Sequence, residues 1–311
     1  MNLLRKLIPS AALLVLGLVA LLVVAFGAMF MIKAGGGGSW GGAGAAQDTG
    51  TVSVKANGNQ VFDETLLATA EIPAGPTTFQ VSTTSARGDN VLLARLHDGM
   101  TIQEFLRDLS VVNSNAGAAE SQDVSKKVEN LGGALVSPQC SVNFTVNVEP
   151  GTAYLIHFRG TGISDAHPMV QELRVTGPAS DAPLPEAEQD IVLEKTNGEP
   201  RFQASNKLPA DGTFRIINRT DGSNETAFLP LKPGKADSDL NAYFADLSKA
   251  DWKNAPFAGS PCGLAPLNPG HEAVVHLSMT PGSFVLASFA YDTKAKKRNA
   301  ELGMYQRVTF G

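Results

Sequence analysis

Apolar and polar positions divide the chain into three textures. From Leu7 to Ile32 the sequence LIPSAALLVLGLVALLVVAFGAMFMI carries no charge, and a helix crosses a bilayer with about 20 such residues. Next comes AGGGGSWGGAGAA (residues 34–46), whose glycine density predicts a flexible coil. From Thr51 short alternating runs take over. TVSVK (51–55) and TFQVS (78–82) alternate as half-buried strands do. VLLARL (91–96) is mostly apolar, as a central sandwich strand would be. A helix is predicted next: Thr101 and Glu104 form a capping box, and Ile102, Phe105, Leu106 and Leu109 fall on one face. Residues 118–130 read as a second, polar helix or an ordered loop. NFTVNV (143–148) and AYLIHF (153–158) flank Glu149-Pro150-Gly151-Thr152, which reads as a hairpin, and VQELRVT (170–176) closes the unit.

After the proline-rich GPASDAPLPEAE (177–188) the pattern returns. Leu208-Pro209-Ala210 ahead of Phe214 matches Ile72-Pro73-Ala74 ahead of Phe79. Leu240, Tyr243, Phe244 and Leu247 repeat the helix stripe. Thr280-Pro281-Gly282-Ser283 repeats the hairpin, and Met304-Tyr305-Gln306 matches Met169-Val170-Gln171. Order and spacing are kept, so the region after residue 50 reads as a tandem duplication. The expected layout is an anchor (1–34), a glycine-rich linker (35–50), a first β-sandwich (51–177), a connector (178–189) and a second β-sandwich (190–311). The fold class is mainly β: an N-terminal transmembrane helix and two Greek-key sandwiches, each with one short helix.

Charge fixes the orientation of the anchor. Arg5 and Lys6 precede the apolar run and Lys33 alone follows it, so the N-terminus is expected inside and the remainder outside the cytoplasmic membrane. The run is longer than the roughly 7 to 15 apolar residues of a cleaved signal peptide, and the small-x-small site Ala43-Gly44-Ala45 lies well past its end. An uncleaved anchor, with lipid contact through residues 7–32, is the favoured reading. The net charge of −5 and the lack of a basic stripe argue against a nucleic-acid partner.

On these strands, the Pro-rich turn, the LLARLHDG segment (92–99), the helix, the Pro-Gly turn and the Met-containing closing strand, each unit resembles the cupredoxin-like domain of secreted bacterial proteins. An immunoglobulin-like sandwich is the competing fold. The resemblance implies a type 1 copper site of two imidazoles, one thiolate and an axial thioether. Its first histidine falls near Asp89 and Asn224, and its cysteine near His157 and Ser288. Its second histidine falls at His167 and in the stretch 299–303, and its methionine at Met169 and Met304. The thiolate is missing in both units, so the resemblance implies domains without a blue-copper site and no cofactor. Unit one retains His157, His167 and Met169, which gives an alternative reading as a copper-binding or copper-handling envelope protein.

Cys140 and Cys262 both lie in loops, soon after a Ser-Pro, away from the thiolate positions. A bridge across the domain interface and two unpaired thiols are both compatible with that placement. His271 and His276 are one residue too far apart for a zinc-protease helix, and on a strand they face opposite ways. Three Asn-x-Thr tripeptides begin at Asn143, Asn218 and Asn224. No nucleophile elbow occurs, and no catalytic residue is assigned. The sequence is therefore read as a non-enzymatic, membrane-tethered extracytoplasmic interaction or scaffold protein, with a protein partner in a membrane or envelope complex.

Overall fold

The computed structural model describes residues 50–58, 64–97, 99–113, 127–158, 168–250 and 254–311. The expected membrane span, the glycine linker and His167 lie outside them. Among the described residues no helix is long and apolar enough to cross a membrane.

The first half contributes β1 (Gly50–Gly58), β2 (Glu64–Leu67), β3 (Glu71–Pro73), β4 (Gly75–Ser82), β5 (Asp89–Leu96), α1 (Ile102–Asn113), β6 (Val128–Val136), β7 (Val142–Val148), β8 (Gly151–His157) and β9 (Met169–Thr176). The second contributes β10 (Gln189–Thr196), β11 (Glu199–Gln203), β12 (Lys207–Leu208), β13 (Asp211–Asn218), β14 (Asn224–Pro230), α2 (Asp237–Phe244), β15 (Cys262–Leu267), β16 (Glu272–Ser278), β17 (Gly282–Ala287), β18 (Tyr291–Asp292), β19 (Lys297–Arg298) and β20 (Tyr305–Phe310). No helix or strand interrupts the connector between the halves.

Two large sheets face each other. One runs β11-β10-β13-β16-β7-β4-β1-β2, the other β12-β20-β17-β14-β15-β6-β5-β8-β9-β3. Read from the middle outward, each order is the same in both halves, so the duplication folds about a pseudo-twofold axis. That axis passes through the β7–β16 ladder, where Phe144 faces Val275; these two residues precede the Pro-Gly pairs of their units by the same number of positions. β6 pairs β15 across the same seam, with Gly263 opposite Leu135 and Leu267 opposite Leu131. Both sheets are thus continuous through the seam, and the described residues form one compact unit.

The alternation read from the sequence explains the first sheet. In β4 and β13 the residues turned inward are buried and their neighbours more exposed, as when one sheet face packs on a core and the other meets water. Phe79 stacks on Phe144 with ring centroids 4.9 Å apart, and Phe310 takes Phe228 and Phe284 edge-on at 5.1 Å. β5 and β14 are buried on both faces because α1 and α2 cover the outside of the second sheet. Phe105, Leu240 and Phe244 pack there against Leu92, Ile156 and Leu229. The α1 capping box forms as expected: the Thr101 N–H donates to Glu104 Oε2 at 2.8 Å, and the Glu104 N–H to Thr101 Oγ1 at 3.2 Å.

Three local expectations change. The Pro-Gly turns do not close hairpins: β7 and β16 lie in the first sheet, β8 and β17 in the second. Each turn carries the chain from one sheet to the other, at Gly151 (φ 127°) and Gly282 (φ 157°). Residues 128–130 belong to β6, not to a polar helix. The Gly132-Gly133 pair hid that strand, although Gly133 is what lets it pack: a Cβ there would lie 2.1 Å from the Val91 carbonyl oxygen. Gly263, with a Cβ position 2.0 Å from the Thr226 carbonyl oxygen, is its counterpart in the second half. Finally, α2 stops at Phe244, and Leu247 opens a separate 3-10 turn (Leu247–Lys249).

Candidate functional site

Three of the four positions that the resemblance assigns to copper ligands are described in both halves, and they lie at corresponding places; His167 lies outside the described residues. In the first half Asp89 opens β5 and His157 ends β8, both essentially without exposure. Asp89 Oδ1 lies 2.9 Å from His157 Nε2. The other carboxylate oxygen accepts a hydrogen bond from the Thr83 hydroxyl, which in turn accepts the Ser85 N–H at 2.8 Å. The β8–β9 register sets Met169 opposite His157, on the same sheet face. Met169 is 40% exposed, the one large hydrophobic side chain among the described residues that is open to solvent.

The second half solves the same positions with neutral groups. Asn224 opens β14 and is buried. Its carboxamide oxygen accepts from Ser288 Oγ at 2.9 Å and from Asn299 Nδ2 at 2.6 Å. Its Nδ2 donates to Thr220 Oγ1 at 2.8 Å and to the Gly222 carbonyl at 3.2 Å. Both lone pairs and both N–H bonds of one carboxamide are therefore used. Asn218 extends the network, donating from Nδ2 to the Leu267 carbonyl at 2.7 Å and accepting the Thr220 N–H at 3.0 Å. Met304 is fully buried beneath it, its backbone oxygen taking the Ser288 N–H at 3.1 Å. Beside the network, burial raises the pKa of Glu225, which accepts the Phe289 N–H at 2.7 Å. Burial of Asn218 and Asn224 also removes two of the three Asn-x-Thr tripeptides as modification sites.

Among the described residues neither set fits a type 1 copper centre. The second half offers a carboxamide, a hydroxyl, a second carboxamide and a thioether, with no thiolate or imidazole. The described part of the first offers a carboxylate, an imidazole already engaged by that carboxylate, and a thioether. Among the described residues no group of three or more His, Cys, Asp or Glu side chains is arranged to hold a metal ion.

The two cysteines lie elsewhere. Cys140 and Cys262 form a disulfide with their Cα atoms 6.2 Å apart, and both are buried. Cys140 sits in the bend between β6 and β7 and Cys262 opens β15, so the bond crosses the seam between the halves. A second cross-seam contact escaped the sequence reading. Glu129 on β6 meets His271 Nε2 at 2.9 Å, His97 Nε2 at 3.3 Å and Arg95 at 3.8 Å. The hydrogen bond from His271 lowers the Glu129 pKa, and Glu129 in turn raises that of His271. Nothing short of the fold could reveal this cluster, since its partners are 142 positions apart.

No protein-family model matches the sequence, and no curated protein is similar to it. Solved structures do align with it. Auracyanin A, described as a "blue" copper protein from Chloroflexus aurantiacus, aligns at 18% identity over 41% of this chain and all of its own, with a TM-score of 0.28. An auracyanin from Roseiflexus castenholzii aligns at 15% identity over 40% of this chain and 95% of its own, with a TM-score of 0.25. Lac15 from a marine microbial metagenome aligns at 12% identity over 82% of this chain and 67% of its own, with a TM-score of 0.26. The described residues are mainly β, with two large sheets and a short helix in each half, as the resemblance to a cupredoxin-like domain implies. Of the matched positions, Asp89 meets His157 in the first half and Asn224 meets Ser288 in the second.

Proposed function

We propose that the protein is a membrane-tethered, extracytoplasmic interaction or scaffold protein, an accessory subunit of a membrane complex with no reaction of its own. The observation that carries this reading is that, among the described residues, both ligand clusters are occupied by hydrogen-bonded polar groups. Such networks rigidify a fold. Continuous sheets and a seam-crossing disulfide add to a rigid body, and loops held on a rigid scaffold are natural binding surfaces. The tether is the apolar run 7–32, with the basic residues before it placing the body outside. Extraction in mild detergent followed by size analysis tests the proposal. Co-elution with a partner is expected, and recovery only as a free monomer would count against it.

One observation favours a second reading, copper handling by the first half: His157 and Met169 oppose each other across β8 and β9, and imidazole with thioether suits Cu(I). Titration of the full chain with Cu(I) decides it. Tight binding lost in His167→Ala would support the reading, and no binding would end it.

A further inference from the structure

We propose that Met169 is a modification site, at which the first half takes up one oxygen from hydrogen peroxide without loss of the fold. The repeat supplies the comparison. Met169 opens β9 and Met304 stands just before β20, at the same place in the two units. Their surroundings differ. Met169 is 40% exposed, whereas Met304 is fully buried in the core cluster that holds Val308 and Phe310. The other methionines among the described residues are sheltered as well. Met279 is buried, with its sulfur 3.4 Å from Cys140 Sγ. Met100 is half-buried against the apolar cluster that includes Phe105.

A thioether reacts where its sulfur meets the oxidant, so exposure ranks these side chains. The sulfur lone pair forms a bond to one peroxide oxygen as the O–O bond breaks. The proton on the transferred oxygen passes to the departing hydroxide, and water leaves. Sulfur gives up an electron pair and the peroxide is reduced by it, so no further reagent is needed.

Place also decides the consequence. A sulfoxide is polar and its oxygen accepts hydrogen bonds. At Met169 water supplies them. At Met304 the oxygen would enter an apolar core, where a polar group without a partner is costly. Met169 pairs with His157 through its backbone in the β8–β9 ladder, and its sulfur takes no part in that pairing. Oxygenation therefore turns the one open large apolar side chain among the described residues polar, and leaves the buried sulfurs and the seam disulfide as they are.

The test treats the full chain in mild detergent with a dilution series of hydrogen peroxide and follows each methionine by peptide mass spectrometry. Met169 is expected to gain oxygen about tenfold faster than Met304, with Met279 and Met100 also slower than Met169. In urea the rates should converge, because the fold sets the difference. Equal rates in the folded chain would overturn the proposal, as would a ratio that survives unfolding. The melting temperature of chain oxidised at Met169 should equal that of untreated chain. Met169→Gln, which sets a polar group of similar length there, should melt at the same temperature too. A lowered melting temperature in either would place this side chain in the packing that holds the fold and end the claim that its oxygenation is tolerated.

Discussion

The two halves hold the same positions by different chemistry. In the first a buried carboxylate takes an imidazole. In the second a carboxamide satisfies a hydroxyl and a second carboxamide. Strand order, seam register and the glycines at 133 and 263 are shared, yet no side chain is common to the two clusters except the methionine. What the comparison teaches is that the sandwich end demands satisfied polar groups, because an unmade buried hydrogen bond costs more than a made one gains. Either a carboxylate–imidazole hydrogen bond or a carboxamide network meets the requirement.

The largest effect expected is on the connection between the halves. The disulfide closes a loop of 122 residues, so Cys140→Ala/Cys262→Ala should lower stability by about 5 kcal/mol in the chain-entropy account. Thermal unfolding of the variant should show the halves melting less cooperatively, and an unchanged single transition would mean that the sheets alone hold the seam. Next come the clusters. Asp89→Ala strips the buried His157 imidazole and the Thr83 hydroxyl of their shared acceptor and should cost about 3 kcal/mol, the upper end for buried groups left unmade. Asn224→Ala orphans neutral groups, at about 1 to 3 kcal/mol for each left unmade. Denaturant midpoints would read both. A larger loss at Asn224 would reverse the ranking drawn between the halves.

The smallest effect is at the Glu129–His271 contact. The lowered Glu129 pKa gives stability that is present above the ordinary carboxylate range and fades as pH falls through the lowered value. The raised His271 pKa gives stability that is complete below about 6.5, the ordinary imidazole value, and is lost as pH rises through the raised one. The seam should therefore be tightest in mild acid and loosen towards alkaline pH. Because both side chains are partly exposed, the pair is worth at most about 1 kcal/mol. Glu129→Gln should flatten the pH dependence of the melting temperature, and a profile identical to wild type would remove the contact from the account.

Local pattern carried much of this fold and little of its assembly. The capping box at Thr101 and Glu104, the stripe through Phe105, and the alternation in β4 and β13 are short-range signals, and they read correctly. The repeat was legible because Pro-Gly pairs and closing methionines recur in order. The strand through Gly132 and Gly133 was not, because glycine there serves a close backbone approach instead of a side-chain pattern. The joining of β6 to β15 and of β7 to β16 depends on which edges meet, which no window of sequence contains. At the candidate site, the lack of a thiolate at His157 and Ser288 was visible in the sequence. Pairing of Asp89 with His157, and the closed network around Asn224, required the fold.

Copper stoichiometry of the full chain, purified after growth with added copper and then titrated with Cu(I), tests the central claim most directly. The account predicts no stoichiometric copper and no tight site in either half. One copper per chain, lost on replacing His157 or Met304, would contradict it.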